Sequence, residues 1–194
     1  MSENLSEPQF PDNGMVSIIA KDGIWPTNEI VISTDIDSFS ISGGNRDVEI
    51  RPFFKGAKVT IEQPQQQFEV TMNAKLQKAI WDQMMQGGTG SDFVSGGTQS
   101  DYRVSFCVTT DAAVVAANTP YSAIGAGSDV YRVVFADAKM TGFEPSLEAE
   151  GMLEGEATFV IAAQDNTGAG NVRYQIGTDG FDALGSYTSS QKWD

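Results

Sequence analysis

The sequence predicts a mainly β protein, a β-sandwich or half-barrel flanked by one α-helix, and three observations carry that expectation. Short runs rich in Val, Ile, Thr, Phe and Tyr recur along the chain between clusters of Gly, Pro, Asn and Asp. Two of these runs, Tyr102–Thr109 and Val130–Lys139, are apolar on both faces, which suits strands at the centre of a sheet. A single stretch, Ala74–Gln86, repeats its apolar residues at helical spacing. A chain of 194 residues is long enough to bury one core without a disulfide or a metal.

Residues 1–14 are polar and contain proline, the composition of an N-terminal arm. Strands are expected at Met15–Lys21 and Asn28–Ser42, divided by the turn chemistry of Asp22-Gly23 and Trp25-Pro26. Ser42, Gly43, Gly44 and Asn45 form a turn, after which Arg46 to Arg51 alternate charged with aliphatic side chains. Pro52 and Gly56 bracket Phe53 and Phe54, neighbours that cannot both point inward on one strand. Lys58–Glu62 and Gln67–Asn73 read as two more strands. In the helix, Leu76, Ala79, Ile80 and Met84 share a face, Asn73 offers an N-cap, and Gly87-Gly88 ends it. Residues 111–128, rich in Ala, Gly and Asn, are an insertion whose form the sequence does not specify. Residues 177–194 return to Gly, Ser and Asp with Phe181, Tyr187 and Trp193, a C-terminal arm. The organisation expected is one β domain, 15–176, between two arms.

The clearest periodicity lies in 144–163. Glu144, Glu148, Glu150, Glu154 and Glu156 fall on even positions, while Leu147, Ala149, Leu153, Ala157, Phe159 and Ile161 fall on odd ones. A hairpin that keeps register places the glutamates on one sheet face and the small and apolar residues on the other.

Charge excludes several functions. Twelve basic residues against 26 acidic ones leave a net charge of −14, with no histidine. Such a surface repels phosphate, so nucleic-acid binding by counterion release and attachment to anionic membranes are both disfavoured. Without histidine there is no Ser-His-Asp or Cys-His nucleophile system and no imidazole ligand for zinc. The glycine clusters at 87–90 and 96–99 lack the Lys-Ser/Thr of a phosphate loop. Asp35 and Asp37 converge with nothing else that would hold magnesium, and the Asp165-Asn166-Thr167-Gly168 turn lacks the twelfth-position glutamate of a calcium loop (Ile176 stands there). No catalytic residue, metal site or cofactor is expected, and the chain reads as a non-enzyme. Cys107, alone in an apolar run, is expected in the core. The first residues have no signal-peptide pattern and no apolar run reaches 18 residues, so synthesis in a cytoplasm without membrane insertion is expected.

Two stretches carry a family resemblance. Ile36–Asp47 resembles the strand-to-loop passage of tail tube proteins of tailed bacteriophages and archaeal tailed viruses. Tyr131–Gly142, the glutamate-rich hairpin and Ala157–Gln164 are similar to the C-terminal strands of that family. The resemblance implies sheets that join between subunits into a ring-shaped β-barrel, hexameric rings stacked into a tube, and a lumen that conducts DNA into the host during ejection without binding it. It implies that 42–58 is the loop of inter-ring stacking, with Ser42, Gly43, Gly44, Asn45, Arg46, Asp47, Phe53 and Phe54 as its contacts. Glu148, Glu150, Glu154 and Glu156 are then candidates for an acidic lumen wall; the same glutamates also suit a solvated outer face. Tape measure, terminator and initiator proteins, and a sheath in contractile tails, are the partners implied, and the virion tail is the location. The alternative is a β-sandwich binding module, an adhesin or a capsid decoration protein.

Overall fold

The computed structural model describes residues 13–52, 58–62, 64–75, 80–90, 92–147 and 153–193. The strands are β1 (Gly14–Ala20), β2 (Ile30–Val31), β3 (Ile36–Gly43), β4 (Val48–Pro52), β5 (Lys58–Glu62), β6 (Phe68–Lys75), β7 (Tyr102–Thr109), β8 (Val130–Leu147), β9 (Leu153–Ile161) and β10 (Val172–Gly177). Two α-helices, α1 (Ile80–Gln86) and α2 (Ala112–Ala117), and a 3-10 turn at Lys21–Gly23 complete the described elements. All pairings are antiparallel, in the order β2-β1-β7-β8-β9-β6-β3, with β10 also on β8 and β4 paired with β5 alone.

The 18-residue β8 organises the molecule. Its first half, 130–138, pairs with β7 along one side and β10 along the other. From Lys139 onward its strand partner is β9. Between the halves, Asp137 adopts a left-handed φ of 53°, and the register with β9 shifts between Met140 and Gly142. An extra residue of this kind bends a strand and increases its twist. The bend makes a back sheet (β2, β1, β7, proximal β8, β10) and a front sheet (distal β8, β9, β6, β3) from one continuous ladder. Three aromatic pairs join the sheets: Phe39 on Phe106 with centroids 4.5 Å apart, Phe68 on Phe135 at 6.2 Å, and Phe159 on Tyr102 at 6.1 Å. Along β7 the covering strand therefore changes from β9 over Tyr102 to β3 over Phe106, so the front strands cross the back ones. Fully buried side chains such as Trp81, Phe135 and Phe159 each contribute about 1.5–3 kcal/mol through removal of apolar surface from water.

The helix is shorter than the periodicity of Ala74–Gln86 predicts. The alternation Phe68, Val70, Met72, Ala74 inward with Glu69 and Asn73 outward carries β6 through to Lys75. Asn73 therefore pairs with Ser38 and Glu156 instead of capping a helix. In α1, Ile80, Trp81 and Met84 are buried, Trp81 stacks on Phe143, and the Tyr102 hydroxyl donates to the Met84 carbonyl at 3.1 Å. Gly87, at φ +70°, turns the chain where a Cβ would lie 2.6 Å from the Thr98 carbonyl oxygen. Leu76 and Ala79 lie outside the described residues.

The back sheet is covered on its second face as well. The insertion 111–128 contributes α2, capped by the Asp111 carboxylate, which accepts from Ala113 and Val114 and, on its other oxygen, from the Gly125 amide at 2.9 Å. Residues 178–193, read from sequence as an arm, lie across the same face. Two buried arginines hold both segments. Arg132 donates to Gln175 Oε1 and to the carbonyls of Pro120, Ser122 and Asp182. Arg103 donates to Glu29 at 2.8 Å and to the carbonyls of Gly185 and Lys192. Beside them Cys107 is fully buried, its thiol pushed up to about 12 by burial against the smaller opposing pull of Arg132.

Candidate assembly surface

The front sheet exposes one polar face, and the register fixes its rows. Ser38, Asn73, Glu156 and Glu144 stand side by side across β3, β6, β9 and distal β8. The next row toward the base of β3 is Ser40, Thr71, Thr158 and Gly142, followed by Ser42, Glu69, Val160 and Lys139. In the opposite direction Lys75, Glu154 and Ser146 line up. Glu144, Glu154 and Glu156 are exposed, whereas Gly155, Ala157 and Phe159 between and beyond them are buried. Four glutamates meet two lysines on this face, so it is net acidic and offers short hydroxyl and carboxylate groups without an aromatic. Two carboxylates, Glu144 and Glu156, are direct cross-strand partners. Like charges opposite each other destabilise a sheet slightly, a cost that packing alone does not explain. Glu148 and Glu150 lie outside the described residues.

At one end of this face the β3–β6 hairpin extends into a second one. Gly43 and Gly44, at φ +81° and +69°, redirect the chain, and a Cβ on Gly44 would come within 2.2 Å of the Phe68 ring. The Gly44 amide donates to Gln67 O at 3.0 Å, Gln66 N to Asn45 O at 2.9 Å, and the Gln65 side chain to Gly44 O at 2.8 Å. The exposed Asp47 accepts from the Gln66 side chain at 2.9 Å, and Arg46 is exposed. Beyond this neck, β4 and β5 pair from Val48↔Glu62 to Pro52↔Lys58. Five residue pairs add about 17 Å of ladder, and among the described strands neither β4 nor β5 has a further partner. Phe53 and Phe54 lie outside the described residues; Ser42, Gly43, Gly44, Asn45, Arg46 and Asp47 form the neck.

The edges of the front sheet complete the surface. β3 pairs with β6, and distal β8 with β9; among the described strands neither has a partner on its other side. Unpaired N–H and C=O rows of this kind are templates for adding a strand. Sequence reasoning located the hairpin neck and the glutamates but not these edges, because the continuation of β8 past Lys139 depends on a bulge that no composition signal marks.

At the bend, the charged side chains are concentrated in one cluster. The Asp137 carboxylate receives Lys21 Nζ at 2.6 Å, the Tyr187 hydroxyl at 2.8 Å and Lys192 Nζ at 3.5 Å. Burial alone would raise Asp137, but the hydrogen bonds from Lys21 and Tyr187 and the charges of Lys21 and Lys192 hold it below the usual carboxylate range. Lys192 also reaches Asp165, and Asp101 bridges toward Lys139 at 2.8 Å. These are structural ion pairs. Among the described residues no group of His, Cys, Asp and Glu is arranged to hold a metal.

No family model and no curated protein matches the chain. Solved structures do. A chain of the sheath-tube complex of PVC, an extracellular contractile injection system in its extended state, aligns with a TM-score of 0.51 at 16% identity, covering 89% of this chain and 94% of that one. A chain from the anti-feeding prophage cap, described as the tube-terminating cap, aligns with a TM-score of 0.51 at 13% identity over 90% and 95%. The fold is thus a mainly β one that recurs among components of contractile injection systems. At these identities the likeness is one of architecture.

Proposed function

We propose that this chain is a structural subunit of a tail-type tube, assembling into stacked hexameric rings whose inner wall is built from front sheets. The observation that carries this reading is the front sheet itself, with one polar, acidic face and two open edges. Its four strands alternate in direction, so the β3 edge of one copy and the distal β8 edge of the next run antiparallel, and a ring of copies closes one continuous antiparallel barrel. Closure removes the edges that a free subunit would leave exposed.

In this arrangement Glu154 and Glu156, with Glu148 and Glu150 beside them in sequence, line the lumen. An acidic wall repels phosphate, which allows DNA to pass during ejection without being held. The hairpin of residues 42–58, with Phe53 and Phe54, makes the contact between rings. Tape measure, initiator and terminator proteins then engage the ends or interior of the tube, and a sheath surrounds it if the tail contracts. The likeness to components of two contractile systems supports a tube part of a virion-like particle over a free-standing adhesin or capsid decoration protein.

Negative-stain microscopy and mass photometry of the purified protein test the reading. Rings and short tubes are expected as concentration rises. Monomers that persist at high concentration, even when seeded with tail initiator, would sink it.

A further inference from the structure

The back sheet is wider than the front sheet that covers it. Phe39 of β3, the last front strand, sits over Phe106 of β7, and Phe106 meets Tyr131 edge-on with centroids 6.4 Å apart. One step further along β8 and β10, Tyr131 pairs with Ile176, and Tyr174 stands two residues away on the same face. Tyr131 is partly buried against the edge of the core, but Tyr174 and Ile176 remain 49% and 41% exposed. Both lie on the core side of the sheet, since Tyr174 pairs with Val133, which is fully buried, and Ile176 stands two residues further on the same face. An apolar strip on the inner face of a sandwich is a core position whose cover is missing.

The opposite edge of the front sheet shows the counterpart. On distal β8, Phe143, Pro145 and Leu147 pair with Ala157, Gly155 and Leu153, which puts them on the core-facing side, yet Leu147 is 69% exposed. Among the described residues its own subunit leaves this side chain open to solvent. A strand added to β3 continues the front sheet over the uncovered strip, and the antiparallel direction that β3 requires is that of distal β8.

We infer that the Tyr131–Tyr174–Ile176 strip is the socket for distal β8 of a second copy, so that each sandwich is completed by its neighbour's Pro145 and Leu147. The contact is heterologous: socket on one copy, plug on the next, a geometry that forms rings or helices and never a closed symmetric pair. This inference rests on the ring reading and names where, outside the lumen wall, the apolar part of the subunit contact lies. Aromatic anchors desolvated in this way dominate interface energetics.

The test uses two full-length variants. Tyr174→Glu with Ile176→Glu damages the socket, and Leu147→Glu damages the plug; all three side chains are solvent-accessible in one copy, so far-UV circular dichroism and thermal midpoints close to wild type are expected. Each variant alone is expected to lose rings and run as a monomer, whereas an equimolar mixture gives a one-to-one dimer, because the intact plug of the socket variant fits the intact socket of the plug variant. Rings from the socket variant indistinguishable from wild type would overturn the inference while leaving the ring reading intact. Monomeric variants that fail to pair on mixing would overturn it too. Wild-type protein that forms no rings would remove the ring reading, and the socket with it.

Discussion

The two sheets of this sandwich meet opposite fates. The back sheet is covered on its outer side by α2, the 111–128 insertion and residues 178–193, and on its inner side by the front sheet everywhere but at the strip of Tyr174 and Ile176. Its polar groups, Arg103 and Arg132 above all, are consumed by contacts within the chain. Among the described residues the front sheet keeps an exposed polar face, two edges without a strand partner and a separate β4-β5 hairpin. Both are built from alternating strands, so propensity does not distinguish them. What differs is whether a later part of the same chain returns to cover the surface. Apart from that strip, the back sheet is finished by its own sequence, and the front sheet is left for other molecules.

Breaking the back sheet should have the largest effect. Arg103→Ala leaves the largely buried Glu29 without its cation, with the Ser17 hydroxyl still donating to it, and frees the carbonyls of Gly185 and Lys192. Breaking a buried pair in this way costs about 3–5 kcal/mol. Chemical denaturation is expected to show that loss, and Arg103→Lys to recover little of it, because one ammonium cannot span three acceptors. A loss below about 1 kcal/mol would mean that the C-terminal segment is only loosely held.

The junction should respond to pH. Asp137, held below its ordinary value, stabilises the fold above about pH 4, and that contribution is lost as pH falls through the lower folded value. Asp165, lowered chiefly by its bond from Lys192, acts in the same direction. Lys21, where the Asp137 bond and acidic charges outweigh the downward effect of burial, contributes below about pH 10.5 and loses that contribution as pH rises through its raised folded value. Asp137→Asn is therefore expected to be less stable than wild type at pH 7, with the gap closing as pH falls below about 4 in thermal melts. A gap that persists unchanged at pH 2 would assign the effect to packing at the bend and not to charge.

The front face should be the most tolerant. Glu156→Lys replaces a like-charge cross-strand pair with an opposite-charge one, and a gain of about 0.2–1 kcal/mol is expected. Thermal unfolding of the isolated subunit measures it. Destabilisation instead would show that the carboxylate is engaged within its own subunit, which would weaken its place on a lumen wall.

The legibility of the two regions differs for the same reason. β7 matched its sequence reading in its bounds, but only Tyr102, Val104, Phe106 and Val108 form an apolar face; the other face carries Arg103, Ser105 and Thr109, buried by later parts of the chain. The odd-even pattern of 144–163 placed Glu154 and Glu156 outward and Ala157 and Phe159 inward, as the structure has them. The helix was over-extended at its start because Ala74 and Leu76 fit a helical period, while the two-residue alternation from Phe68 to Ala74 fits a strand, and pairing with β9 decides between them. Asp35 and Asp37, expected on one strand face, are separated by a register shift at the start of β3, with Asp35 buried and Asp37 exposed. The arginines were invisible as anchors: nothing at position 103 reveals that its partners come from positions 185 and 192. The same distance hid the C-terminal segment, whose Gly, Ser and Asp content suits an arm until those carbonyls are needed elsewhere.

That distance also sets an order of events during synthesis. Strands β1 and β7 emerge from the ribosome early, but the guanidinium of Arg103 acquires its last carbonyl acceptor only when Lys192 arrives. Until then the sheet carries an incompletely satisfied cation at its centre. The last hydrogen bonds of the back sheet are thereby among the last to form, and a chain cut short of Lys192 is expected to fold to a less stable subunit.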